Sequence, residues 1–544
     1  MISPTRALQA ADGGVLDLES VVAALSARFA VATGSGQLVR RRWLDTFDRR
    51  LHAAGLTLEH QILSTRDSPG ERLVLSRPDG SSTVAVSGTD LCWPALAEVL
   101  PPGPVRDVVA PVSGIRALMV ASSERRRMQR LELRNGDGKT VARVELDEPA
   151  TPARVPADLA SRPSMTSMTS MTSMTSMTVA PARLTVLRLR GYDQEAQRAD
   201  RLLVGIGLRP VERGDVTPCW ARTTSRTHHT HRPDRSIPAQ ELLTTALGDF
   251  LLTMRENLPG LLDDVDTEFL HDFRVAVRRT RATLKLGRPA LPAVMRTRWE
   301  PAFKRLGDLT TPVRDLDVYE LGLPVMSSWL VTADRTDLDP LVAHLRRTRT
   351  VARLSLVRSL RSVAFRRLVT EWDEELAGLA GLPQEGLPGG ADEIGQLSAG
   401  RLADQSISRA YRRVARDGGL IGADSPAVDL HELRKRCKEL RYALDVFAPL
   451  VNPAARKRAV IDLKGLQDVL GRFQDSEVQR LALRGFAEEM MAQGTTAGAM
   501  LAMGELIGHL DAEQDRARCE FDLAFARFGR PSSLTLMHRL GGGR

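Results

Sequence analysis

Two stretches carry the residue types best suited to chemistry: HDFRVAVRRTRATLKL, starting at His271, and HELRKRCKELRYALDV, starting at His431. Each opens with a histidine, which can take up a proton near pH 6.5. Basic residues then recur at fixed steps, Arg274, Arg278, Arg281 and Lys285 in the first and Arg434, Lys438 and Arg441 in the second. On a helix turning about 100° per residue, His271 and the four cations after it fall within an arc of about 80°. His431, Arg434, Lys438 and Arg441 trace the same arc, with Asp445 standing where the first stretch has Lys285. Like charges on one helix face repel by about 0.2–0.5 kcal/mol per pair. Such a face asks for an anion, and phosphate is the natural match for arginine forks and lysine point charges.

The plainest alternative is a solvated face of an amphipathic helix, which predicts apolar residues opposite the stripe. Here apolar residues flank it instead. Val275 and Leu286 lie on one side and Val277 and Leu284 on the other; Cys437, Tyr442, Leu444 and Val446 do the same in the second stretch. That arrangement suits a helix lining a groove. The two stretches also belong to a longer repeat. A shift of 160 residues places Arg298 on Arg458, Lys304 on Lys464, Leu306 on Leu466, Asp315 on Asp475 and Val318 on Val478 without a gap, which indicates a duplicated structural unit.

The pattern H-x-x-R-x-x-x-(R/K)-x-x-R-x-x-L, with the later D-x-(D/E)-V, resembles the CHAD domain, the conserved histidine α-helical domain. The resemblance covers roughly residues 237 to 530, and both halves of the repeat are present. It implies two four-helix bundles related by a pseudo-twofold axis, around a basic channel that binds inorganic polyphosphate. By matching position that role falls on His271, Arg274, Arg278, Arg281, His431, Arg434, Lys438 and Arg441. Lys285, Lys304 and Lys464 extend the same basic set.

Composition agrees with an acidic partner. The chain of 544 residues has a formal net charge of +9, while aromatics make up 4%. So few aromatic rings argue against a single-strand nucleic-acid binder that stacks bases. Cys92, Cys219, Cys437 and Cys519 show no C-x-x-C spacing, which argues against a disulfide framework or a zinc site and fits a reducing cytosol. There is no N-terminal signal pattern and no apolar run of about 18 residues or more. The expectation is a cytoplasmic protein without a membrane partner, associated with polyphosphate granules; oligomeric state is left open.

Residues 1–220 have a different texture. ERLVLSRPDG, STVAVSG, RLELRNGDGKTVARVELDEP and RLTVLRLRGY are short and several alternate apolar with polar, with Asp79-Gly80 and Asp137-Gly138 placed as hairpin turns. Helices are expected over VVAALSARFAV and DQEAQRADRLLVGIGL. WLDTFDRRLHAAGLTL resembles a segment of the CYTH family, the triphosphate tunnel metalloenzymes, and RLELRNGDGKTVARVELDE resembles that family's later paired strands. The resemblance implies a closed eight-stranded antiparallel tunnel, lined by carboxylates for a divalent metal and by basic residues for triphosphate. Two departures mark the domain as degenerate. The family's opening E-x-E-x-K is missing, and Glu59 and His60 follow Gly55 where alternating arginines are usual. Glu132, Glu145 and Asp147 are the remaining metal candidates, above all Glu145 and Asp147, which stand two apart on one strand, set against a reading as plain exposed strand residues. Mg²⁺ or Mn²⁺ is required only if this domain is active; no other cofactor is expected and no catalytic residue is assigned.

The chain therefore reads as a multidomain α+β protein. Its parts are a CYTH-like antiparallel β domain over 1–220, with a disordered insertion over 149–181 holding the SMT repeat, a linker over 221–237, the helical CHAD domain over 238–530 and a tail over 531–544. The linker histidines His228, His229 and His231 read as a solvated tether. Helices are expected near 240–258, 271–288, 293–309, 313–331, 338–379, 393–416, 428–449, 453–471, 475–492 and 496–528. Polyphosphate binding is the leading function. A metal-dependent tri- or polyphosphate hydrolase using the tunnel is the alternative, weakened by the missing metal motif. Nucleic-acid binding through the basic surface is a second alternative.

Overall fold

The computed structural model describes residues 4–10, 16–64, 70–78, 81–87, 91–150, 182–211, 234–381 and 397–530. The SMT repeat, the linker histidines, Cys219, the Asp79-Gly80 turn and the tail after Arg530 lie outside these. The chain divides into two compact units, Met1–His228 and His229–Arg544.

The first unit is one antiparallel sheet of ten strands. They are β1 (Pro4–Ala10), β2 (Ala30–Thr33), β3 (Gln37–Thr46), β4 (Thr57–Ser64), β5 (Gly70–Ser76), β6 (Ser82–Ser87), β7 (Leu118–Arg134), β8 (Thr140–Pro149), β9 (Arg183–Arg188) and β10 (Leu208–Pro210). Their order is β10-β1-β9-β8-β7-β3-β4-β5-β6, with β2 also paired to β7. The family resemblance implies eight strands closed on themselves; among the described residues there are ten, and the end strands β6 and β10 do not pair. The expected Asp137-Gly138 hairpin is present, since Gly138 takes φ +75° in the turn that joins β7 to β8. Period-two alternation then sorts the faces. Val144 and Leu146 of β8 and Leu184 and Val186 of β9 enter a buried core with α1 (Leu18–Ser26) and α4 (Asp193–Gly205). Between those helices come a short α2 (Arg50–Ala53) and α3 (Pro104–Ser113), neither anticipated from the sequence.

The second unit is helical. Its described helices are α5 (Ala239–Asp263), α6 (Thr267–Leu286), α7 (Ala293–Met326), α8 (Asp339–Leu360), α9 (Val363–Gly381), α10 (Ala399–Gly418), α11 (Ala427–Val446), α12 (Pro453–Ala492) and α13 (Ala497–Phe528). The repeat is visible in these bounds. α6 and α11 begin and end 160 residues apart, and α5 and α10, and α7 and α12, begin 160 apart. Residues at corresponding positions also meet one another: the Tyr319 hydroxyl donates to the Gln479 carbonyl at 3.3 Å. Contact between counterparts is what a twofold relation produces. The two repeats are not independent there, because Leu316, Leu341 and Leu345 share a buried core with Leu483, Met503 and Leu506.

Several expected helix ends are corrected. Pro259-Gly260 does not stop α5; a side chain at Gly260 would run into the Phe269 ring, so this glycine serves close packing, and the helix ends at Asp264 with φ +56°. The break expected near Pro312 is absent and α7 runs through. Three side-chain donors, from Arg274, Thr310 and Thr311, converge on the Gly307 carbonyl and hold that turn together. The break expected between 471 and 475 is likewise absent in α12, where Gly471 is buried within the helix. Conversely, the helix expected over 338–379 is two helices. Ser362 starts the second as an N-cap, its Oγ accepting from the Phe365 amide at 3.1 Å.

Candidate functional site

α6 begins at a strong cap. The Asp266 carboxylate accepts from the amides of Glu268 and Phe269, which fixes the rotation of the helix that follows. Phe269, Phe273, Ala276, Val277, Thr280 and Leu284 are buried, and the stripe of His271, Arg274, Arg278, Arg281 and Lys285 is left half-buried or exposed. α11 repeats the arrangement, with Leu433, Cys437, Leu440 and Leu444 buried beneath His431, Arg434, Lys438 and Arg441. The two stripe helices pack on each other across the repeat. Arg278 lies 5.8 Å from the centroid of the Tyr442 ring, a cation–π approach linking α6 to α11. Beside it lies a cavity of about 230 Å³, lined by Arg279 of α6 and by Tyr442, Asp445 and Arg456 of the second repeat.

The cations feel one another. Lys438 is held below the ordinary lysine value, first by desolvation and then by the guanidiniums of Arg434 and Arg278. Arg274 is likewise lowered by desolvation, which Asp315 opposes and Arg278 and Arg314 reinforce. His271 is pushed down by desolvation and then by Arg314, so it favours the neutral imidazole. Cations of both repeats, Arg274, Arg278 and Arg314 from the first and Arg434 and Lys438 from the second, thus act on one another. Lys304 on α7 and Lys464 on α12 are exposed and have no ion-pair partner among the described residues.

The two walls differ in how their charge is spent. In the first repeat Arg274 donates to Thr310 Oγ1 at 2.7 Å, Thr311 Oγ1 at 3.0 Å and the Gly307 carbonyl at 3.1 Å. In the second, Leu470 and Gly471 stand where the two threonines would be, and Arg434 pairs with Asp475 at 2.9 Å. Arg441 pairs with Asp445 at 3.0 Å, and Arg456 reaches the same carboxylate at 3.2 Å. His431 Nδ1 lies 2.6 Å from Gln474 Oε1. The first-repeat counterpart of Gln474 is Arg314, a residue that spacing alone did not single out. One of its terminal nitrogens is buried without a hydrogen-bond partner among the described residues. Its signal was hidden because the repeat places glutamine, not arginine, at the matching position.

On the sheet, Arg143, Glu145 and Asp147 alternate with the core residues of β8. Asp147 is clamped by Arg41 at 2.7 Å and Arg126 at 2.6 Å, and Glu145 by Arg130 at 2.5 Å. Glu132 sits between Arg134 and Arg143 beside the β7–β8 turn. Glu59 also faces Arg41, while His60 is buried between Glu71 and the Trp93 indole and is held neutral by that burial. This donor set does not fit Mg²⁺ or Mn²⁺: the carboxylates already neutralise guanidiniums. Among the described residues no group of three or more His, Cys, Asp or Glu side chains converges as metal ligands would. Cys92, Cys437 and Cys519 are free thiols, and no described helix is long and apolar enough to cross a membrane.

Comparison with known proteins points to one family. No curated protein matches the chain. Among solved structures, the CHAD domain from the plant Ricinus communis aligns at 23% identity, covering 58% of this chain and 95% of its own, with a TM-score of 0.42. PptA from Streptomyces chartreusis aligns at 18% identity, covering 53% and 99%, with a TM-score of 0.41. The CHAD domain family itself matches residues 245–484, a span holding both stripe helices. Within the helical unit, the CHAD domain is thus placed at residues 245–484, where α6 and α11 are the corresponding helices of the two repeats.

Proposed function

We propose that the helical unit binds inorganic polyphosphate in the groove between its repeats. The observation that carries this reading is the approach of the two stripes at Arg278, Tyr442 and Lys438, together with Arg278, Arg281 and Lys285, which have no ion-pair partner among the described residues. A dense row of partly desolvated cations is costly unless an anion arrives, and a thin polyanion meets such a row along its length. Double-stranded nucleic acid would have to meet the same residues from outside the helix pair. Association with polyphosphate granules follows from this reading. The clamped carboxylates of the sheet supply no support for a metal-dependent hydrolase.

The test is binding of long-chain polyphosphate across a salt series, by the intact protein and by a variant with Arg274, Arg278, Arg434 and Lys438 all changed to alanine. Duplex DNA serves as competitor, and phosphate release with magnesium or manganese is followed in parallel. Tight binding that falls steeply with salt and drops by about a hundredfold or more in the variant is expected. Unchanged binding in the variant would refute the groove, and metal-dependent phosphate release would restore the hydrolase reading.

A further inference from the structure

Given the polyphosphate reading, on which this inference rests, the two walls of the groove should not be equivalent. In the first repeat Arg278, Arg281, Lys285 and Lys304 have no carboxylate within ion-pairing distance among the described residues, and Asp315, the counterpart of Asp475, acts on Arg274 and Arg314 without an ion-pairing contact. In the second, Asp475 holds Arg434 and Asp445 holds both Arg441 and Arg456. Three positions produce the difference. Lys285 stands where the second repeat has Asp445, Arg314 where it has Gln474, and the Thr310–Thr311 pair where it has Leu470–Gly471. Each exchange leaves the first wall more positive or the second more self-satisfied. Gly307 adds room on the first wall, since the Arg281 guanidinium reaches to 3.3 Å from where a β-carbon would stand.

We propose that the first-repeat wall is a seat for a short oligophosphate. In this arrangement the second wall engages only when a longer chain supplies enough charge to displace Asp445 and Asp475 from their arginines. From Arg278 to Lys285 the helix rises about 10 Å, a reach suited to an anion of about three phosphates. A tripolyphosphate there meets unpaired donors directly. On the second wall it must compete with two carboxylates that are tethered beside their partners and so outmatch a dilute ligand at equal contact strength. The groove thereby gains a direction, although the fold that builds it is nearly twofold symmetric.

The experiment measures affinity and stoichiometry of tripolyphosphate and of long-chain polyphosphate by calorimetry on the full chain. One variant alters the first wall (Arg281→Ala, Lys285→Ala, Arg314→Ala), a second alters the other wall (Arg434→Ala, Arg441→Ala), and a third releases it (Asp445→Asn, Asp475→Asn). The native chain is expected to bind one tripolyphosphate. Its affinity should fall by about tenfold or more in the first variant and by about threefold or less in the second. Long-chain binding should weaken in both. The third variant should bind a second tripolyphosphate, a gain that a misfolded protein cannot produce. Two equivalent tripolyphosphate sites in the native chain, equal losses from both walls, or no added site in the third variant would each overturn the asymmetry while leaving polyphosphate binding in place. Absence of binding to either ligand would instead overturn the functional reading and this inference with it.

Discussion

His271 shows how one residue reports on the groove. Desolvation and Arg314 depress its pKa, so the folded chain resists a proton that the unfolded chain accepts below about pH 6.5. Its contribution to stability is therefore complete above that pH and is lost as pH falls below it. A bound polyanion reverses the preference, because phosphate favours the imidazolium. Polyphosphate affinity should then rise between pH 7.5 and 5.5, by roughly three- to tenfold more in the native chain than in His271→Gln. Identical pH profiles would remove His271 from the anion contacts. The histidine, the arginines and their spacing were all legible in the sequence. Arg314 was not, because residues forty apart in sequence meet only after α6 and α7 pack.

At the scale of elements, the helices hold their angles partly through a buried ionic joint. Asp317 of α7 is fully buried, and its Oδ1 takes the Arg349 Nε at 2.7 Å. The same guanidinium holds Asp264, at the left-handed end of α5, through two bonds of 2.8 and 2.9 Å. Burial pushes the Asp317 carboxyl upward, whereas hydrogen bonds to Asp264 and Asp317 hold Arg349 charged. Replacing Arg349 by alanine leaves a buried carboxylate alone and should destabilise the helical unit by about 3–5 kcal/mol in denaturant unfolding. Adding Asp317→Asn should recover part of that loss; no recovery would place the damage in packing instead. Helix ends were less legible than helix existence. Proline and glycine at 259–260 and 312 read as stops, yet close ring packing on Gly260 and side-chain bonds to the Gly307 carbonyl carry the helices through.

At the scale of the whole molecule, two units with separate cores predict two unfolding events, and a ligand confined to one should raise only that one. Polyphosphate at a hundred times its dissociation constant should stabilise the helical unit by about 2.7 kcal/mol, read by scanning calorimetry as an upward shift of its transition. A shift of the sheet unit's transition instead would move the site to the first unit. The sequence by itself determined the duplication, the stripe on each copy, the alternation of the strands and hence the layout of a sheet unit followed by a helical one, because these depend on residue spacing along one chain. Only the tertiary structure decided which charges are spent. Asp147 and Glu145 stood as weak metal candidates beside a reading as exposed strand residues, until neighbouring strands brought Arg41, Arg126 and Arg130 against them. Asp445 was visible as the odd member of the second stripe, but only packing showed that it and Asp475 pair with that stripe's arginines. A side chain's face follows from local periodicity, whereas its partner comes from an element distant in sequence, and a charge acts on a ligand only when no partner has already claimed it.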